Sequence, residues 1–201
     1  MNEIFPGVWH WTAEHPAIHT RVSSYYLEDA GMALDPLLPE GGIDAFGDWQ
    51  VQQVVLSCRH HRRDSAALRD RFGARVRVPR NGLHEFEGGD LEVEPYDPGD
   101  EVAPGVVAHA LEAIAPDDEV LHIDAGPGAL AFADGLHRMR GEIAFMSDDL
   151  MDEPDTVRAR TLARLPELLE LDFDALLFAH GEPIPSGGRD ALAAFIRSQG
   201  G

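Results

Sequence analysis

Lysine is absent from this 201-residue chain, and all 16 basic residues are arginine. Against them stand 36 acidic side chains, for a net charge of −20 with histidine neutral. A charge of that size repels polyanions, so the composition argues against a nucleic-acid partner and against an anionic membrane surface. Cysteine is nearly absent. The lone Cys58 rules out an intrachain disulfide, and with it the disulfide mark of an oxidising compartment, which fits the cytoplasm. Long apolar runs are missing too. None approaches the roughly 20 residues of a membrane span. The opening MNEIFPGVWHW lacks the basic and apolar regions of a signal peptide. What the chain does have is 44% hydrophobic residues, enough to bury one sizeable core, which excludes a disordered acidic tail. The length suits one domain or two small repeated halves, and a single domain over residues 1–201 is expected.

Strands lead the chain, and strands alternating with helices follow. Residues 3–13 read as a strand interrupted by Pro6-Gly7. Ser24 to Glu28 and Gly31 to Leu37 read as two strands joined by a hairpin turn over Glu28 to Gly31. Val51 to Ser57 ends in the apolar run of a buried strand. A helix is predicted from Ser65 to Phe72, closed by Gly73, with a strand at Arg75 to Val78. That strand–helix–strand order suggests a parallel pair. In the second half, strands are predicted at Gly105 to Ala110, Glu119 to Ile123, Ala129 to Ala133 and Ala175 to Ala179. Helices are predicted at Pro154 to Leu171, kinked by Pro166, and at Arg189 to Arg197. The class is α/β (α+β), a layered domain with helices over strands in both halves.

Polar residues follow directly on three of the buried strands, where layered α/β folds place their sites. They are the run Ser57 to Ser65 (SCRHHRRDS), Asp134-Gly135 and His180-Gly181. Thiol, imidazole and carboxylate are the donors that zinc or iron takes. Each has a plainer reading as a turn or loop residue; the three together, in this order, favour a site. Trp9, Trp11, Tyr25 and Tyr26 read as core or hairpin surface rather than a substrate shelf. His10, His15 and His19 are sparse and show no ligand spacing.

At this point the chain resembles the metallo-β-lactamase-fold superfamily along nearly its whole length. PGVWHW…SYYLEDAGMALDPLLP is similar to that family's first hairpin and its DPG turn. VVLSCRHHRRDSAALRDRFGARVRVP stands where the family has a strand, its H-x-H-x-D-H motif, a helix and a strand. LAFADGL resembles the strand bearing the metal-bridging aspartate, and LLFAHGEPI the last strand with its terminal His-Gly. The resemblance implies a four-layer αββα sandwich with a metal cleft between the halves.

The motif itself departs from the family. One register sets Cys58 and His60 at the two leading histidines, with Arg62 and Arg63 at the Asp and the last His. A register two residues later starts at His60 and puts Asp64 at the Asp position. Neither restores the motif, and the segment Ala110 to Glu119 lacks the histidine the family carries there. The donors left are Cys58, His60, Asp134 and His180, with His61 as an alternative fourth. They would hold at most one Zn²⁺ or iron ion. The resemblance then implies metal-dependent hydrolysis of a small molecule of unspecified class, with Asp64 and His61 as the catalytic acid–base residues. Loss of the motif supports a second reading, a non-catalytic member that takes no metal. Arg59, Arg62 and Arg63 would then bind an anionic small molecule or a protein partner in the cleft; the simpler and favoured reading of the three is that they stand at the start of a helix and pair with surface acids. A third reading makes Cys58 an acyl-transfer nucleophile, which requires a lowered thiol pKa.

Overall fold

A computed structural model describes residues 1–200. Two sheets pack face to face, and helices cover both outer surfaces. The first sheet runs in sequence order: β1 (Asn2–Phe5), β2 (Val8–His15), β3 (Thr20–Leu27), β4 (Met32–Leu34), β5 (Gln53–Val55), β6 (Arg75–Pro79) and β7 (Glu94–Tyr96). Its first four strands are antiparallel, and β4 to β7 are parallel. The second sheet contains β8 (Glu101–Ala103), β9 (Val106–Ala110), β10 (Glu119–Ile123), β11 (Ala129–Phe132) and β12 (Ala175–Phe178), in the order β12-β11-β10-β9-β8. Only β11 and β12 pair in parallel there. The helices are α1 (Ser65–Phe72), α2 (Pro154–Leu168) and α3 (Gly188–Gln199).

Alternation along the strands creates the layers. Leu177 of β12 and Leu121 of β10 face inward and meet Tyr25, Leu34 and Val55 of the first sheet. The neighbours Leu176 and Val120 face outward, against Leu165 of α2 and Leu192 of α3. On the other outer face, Val54 and Val76 meet Leu68 of α1. A strand buried on both faces must be apolar at every position, which is why β12 reads ALLF without a polar break. The result is the αββα sandwich, with three hydrophobic layers.

Several boundaries differ from the sequence reading. The hairpin partner β3 starts at Thr20, earlier than Ser24, because it pairs with β2 along its full length. β7 and β8 are additional strands of three residues each. α2 ends at Leu168 rather than Leu171. Pro166 has no N–H to offer the preceding turn, and Leu169, Glu170 and Leu171 bond the carbonyls three residues back. The α1 bounds agree, and Gly73 closes the helix at φ 68°. Among the described residues, no helix is long and apolar enough to cross a membrane.

Candidate metal centre

Three strand ends deliver the polar residues to one place. β11 and β12 run parallel with Phe132 opposite Phe178, so Asp134 and His180 leave the same end of the second sheet. β5 of the first sheet leads into Ser57 and Cys58, then into a 3₁₀ turn over Arg59–His61. The Glu119 amide donates to the Ser57 carbonyl at 3.0 Å, tying this turn to β10. The glycines after the two donors have packing reasons. A Cβ at Gly135 would drive into Leu111, and one at Gly181 into the Arg138 carbonyl; Gly181 also holds φ +111°.

Asp134 is the hub. Its Oδ1 lies 3.0 Å from His180 Nε2 and 3.2 Å from His61 Nε2. Its Oδ2 lies 3.5 Å from Cys58 Sγ and 3.7 Å from His60 Nδ1. Two groups of three donors therefore share one carboxylate, and in each the donor atoms lie within 4.8 Å of one another. In the group His61–Asp134–His180 all three residues are buried; in Cys58–His60–Asp134 the imidazole of His60 is exposed.

A second carboxylate stands behind the first group. Asp35, just after β4, lies with Oδ2 3.0 Å from His61 Nδ1. It also accepts the Ser57 amide at 2.8 Å and the Ser57 hydroxyl. Burial opposes a charge on His61, but the carboxylates of Asp35 and Asp134 beside it outweigh that, and the imidazole pKa lies well above its ordinary value. Burial likewise works against ionisation of Asp134, yet His61 and hydrogen bonds from His180 and His60 hold it well below the usual carboxylate range. Burial pushes the Cys58 thiol up. That is the opposite of what a cysteine nucleophile needs, so the acyl-transfer reading has no support in its surroundings.

The predicted residues separate here. Cys58, His60, His61, Asp134 and His180 come together. Asp64 is in neither donor group: its Oδ2 accepts the Leu38 amide at 2.7 Å at the start of α1. The position expected for a general base is thus a loop-holding one. The three arginines do not form one anion site. Arg59 pairs with the buried Asp117 at 2.8 Å. Arg62 pairs with Asp90 on the exposed surface. Arg63 alone reaches the cleft, its Nη1 donating to the carbonyls of Ser23 at 2.7 Å and Asp35 at 2.6 Å. Asp35 was missed by the sequence reading, which placed it inside a strand over Gly31 to Leu37; the strand ends at Leu34, and Asp35 follows it directly. His10 is core, bonded to Ser23 Oγ at 3.0 Å and stacked on Tyr25.

A cavity of about 290 Å³ opens beside the donors, lined by His61, Asp134, His180 and apolar side chains that include Ile114. Residues 111–118 thus contribute a methyl surface to the cavity where the family resemblance implies a histidine. Two buried imidazoles and a carboxylate suit an ion with bonds of about 2.0–2.2 Å. Orientation by a carboxylate behind the imidazole, as Asp35 does for His61, is the usual support of a ligating histidine. The donor chemistry therefore fits a metal.

No protein-family profile matches the chain, and no curated protein matches it in sequence. Solved structures do match in fold. A metallo-beta-lactamase family protein from Thermus thermophilus matches with a TM-score of 0.68 and 16% identity, over 98% of this chain and 81% of that one. TTHA1623, solved in a di-iron-bound form, gives 0.66 and 19% identity over 90% and 96%. An archaeal metallo-beta-lactamase superfamily protein from Sulfolobus tokodaii gives 0.62 and 15% identity over 97% and 86%. At these identities the likeness is one of fold.

Proposed function

We propose that this chain, which has the metallo-β-lactamase fold, is a metal-dependent hydrolase of a small molecule, with one zinc or iron ion at His61, Asp134 and His180. The carrying observation is the convergence of these three buried donors from three strand ends. When bound, such an ion supplies Lewis acidity and activates water near neutral pH.

The chain's own residues do the rest. Asp35 fixes His61 through Nδ1, so that Nε2 faces Asp134. Asp134 orients His180 through Oδ1, and its Oδ2 keeps Cys58 and His60 within reach as further donors. His60, exposed at the cavity wall, is the group placed to exchange a proton with the leaving group. This assigns His61 to metal binding rather than acid–base work. The non-catalytic reading draws on one observation, the guanidinium of Arg63 in the same cavity wall. The experiment that separates the two is metal content after reconstitution, comparing the wild type with Asp134→Ala and His180→Ala. Stoichiometric metal lost in both variants supports the hydrolase; equal, negligible metal in all three supports the binder.

A further inference from the structure

Arg63 differs from its two neighbouring arginines in backbone and in surroundings. Arg59 and Arg62 pair with Asp117 and Asp90, whereas Arg63 lies in the wall of the cavity. Its φ of 38° is in the left-handed region, which a residue with a Cβ seldom adopts. Strain of that kind collects at functional sites. The guanidinium spends one nitrogen on the protein itself: Nη1 donates to the Ser23 carbonyl at 2.7 Å and to the Asp35 carbonyl at 2.6 Å. Nε and Nη2 are buried and have no acceptor among the described residues. No other arginine among the described residues leaves both of these nitrogens buried and unpartnered.

Those two nitrogens form the edge that takes a carboxylate side-on. Arg80 shows this use in the same chain: its Nε lies 2.9 Å from both oxygens of Asp97, and its Nη2 2.8 Å from Oδ2. Arg63 has no such partner. Asp35 gives it only a carbonyl, while the Asp35 carboxylate takes Ser57 and His61. Asp134 Oδ1 is engaged by His61 and His180. Burial has already stripped the edge of solvent, so an arriving carboxylate gains charge-assisted bonds at little further desolvation of the guanidinium.

The cavity suits such a ligand. Of the chain's 36 acidic side chains, only Asp134 lines it, against Arg63 and the imidazoles of His15, His60, His61 and His180. Much of the remaining wall is apolar: Val22 of β3, Ile18 at the turn before it, and Met146 and Leu150 from the segment before α2. Apolar side chains gathered on one concave surface mark a binding site.

We propose that the cavity binds a small carboxylate with an apolar body, its two oxygens on Nε and Nη2 of Arg63 and its body against Ile18, Val22, Met146 and Leu150. One guanidinium matches one carboxylate. A phosphate dianion would bring a second negative charge to a wall that already holds Asp134, in a chain of net charge −20. The site needs no ion. It goes beyond the hydrolase reading and stands whether or not His61, Asp134 and His180 hold a metal.

The test is calorimetric binding of hexanoate, its uncharged counterpart hexanamide, acetate and inorganic phosphate. The full chain is titrated as purified and after chelation, with Arg63→Lys and Leu150→Ser alongside. Hexanoate is expected to bind the chelated wild type about tenfold or more tightly than hexanamide, the margin of a hydrogen-bonded charge. It should exceed acetate by about three- to fourfold per buried methylene, and phosphate should bind more weakly than hexanoate. Arg63→Lys keeps the charge but loses the planar edge, and should weaken hexanoate about tenfold with hexanamide unchanged. Leu150→Ser falls on a side chain that is 53% exposed, outside the core. It should weaken hexanoate about three- to tenfold and leave acetate unchanged. Hexanamide binding as tightly as hexanoate, phosphate binding more tightly than hexanoate, or hexanoate binding that disappears with the metal would each overturn the assignment. So would a folded Arg63→Lys variant with wild-type affinity for hexanoate. If that variant does not fold, the hexanoate–hexanamide comparison on the chelated wild type decides.

Discussion

Tyr25 and Phe178 clasp the two sheets together: the Tyr25 hydroxyl donates to the Phe178 carbonyl at 2.9 Å and accepts the Phe178 amide at 3.0 Å. Tyr25 belongs to β3 of the first sheet, and Phe178 ends β12 of the second, two residues before His180. The clasp closes the sandwich at the point where the cluster of His61, Asp134 and His180 begins. Ala179 continues it, its carbonyl accepting the Ser23 amide at 2.8 Å.

Tyr25→Phe leaves the buried Phe178 amide and carbonyl without that partner. Unsatisfied buried groups cost about 1–3 kcal/mol. The variant is expected to lose that much stability in urea denaturation and to bind metal more weakly, because His180 loses its anchor. Unchanged stability together with unchanged metal affinity would remove the clasp from the account.

Asp64 separates a structural from a catalytic role. Its carboxylate holds the Leu38 amide at 2.7 Å. Asp64→Ala is expected to cost about 1–3 kcal/mol of stability while metal content stays at the wild-type level. The paired measurements are urea denaturation and elemental analysis. Metal loss at unchanged stability would return Asp64 to the site.

Glu119 gives a pH signature. It is buried at the start of β10, and burial, with Glu112 and Asp117 adding to it, raises its pKa to about 8. At acid pH, both folded and unfolded chains hold the proton. Between the ordinary glutamate pKa and about 8, the folded chain keeps a proton that the unfolded chain has released. Stability therefore falls as pH rises through that window. Glu119→Gln removes this contribution and should be stabilising relative to the wild type at about pH 8, less so at about pH 5.5. Urea midpoints at the two pH values check it; parallel curves for the two proteins would show that Glu119 is not the group responsible.

Much of this was legible in the sequence for identifiable reasons. α1 could be bounded because Gly73 supplies the left-handed residue that closes a helix. Asp134 and His180 could be found because each follows a fully apolar strand and precedes a glycine that packing demands. The motif between Ser57 and Ser65 could not be read, because neither register assumed a 3₁₀ turn there. In the turn Arg59–His61, consecutive residues point about 120° apart. Adjacent His60 and His61 thereby reach different oxygens of Asp134, which a pattern of alternate residues does not anticipate. β7 and β8 were missed because each is three residues long, and β7 carries Pro95. The charge count hid the buried acids: Asp117, Asp118 and Glu119 lie inside, and only the fold pairs Asp117 with Arg59.

The central claim is that His61, Asp134 and His180 hold an ion. The most direct measurement is elemental analysis of protein purified without chelator, then stripped and reconstituted with zinc or iron. The account predicts about one equivalent in the wild type and loss of it in Asp134→Ala and His180→Ala, since three-donor sites bind firmly. Less than roughly 0.2 equivalents in the wild type, with no gain on reconstitution, would contradict it.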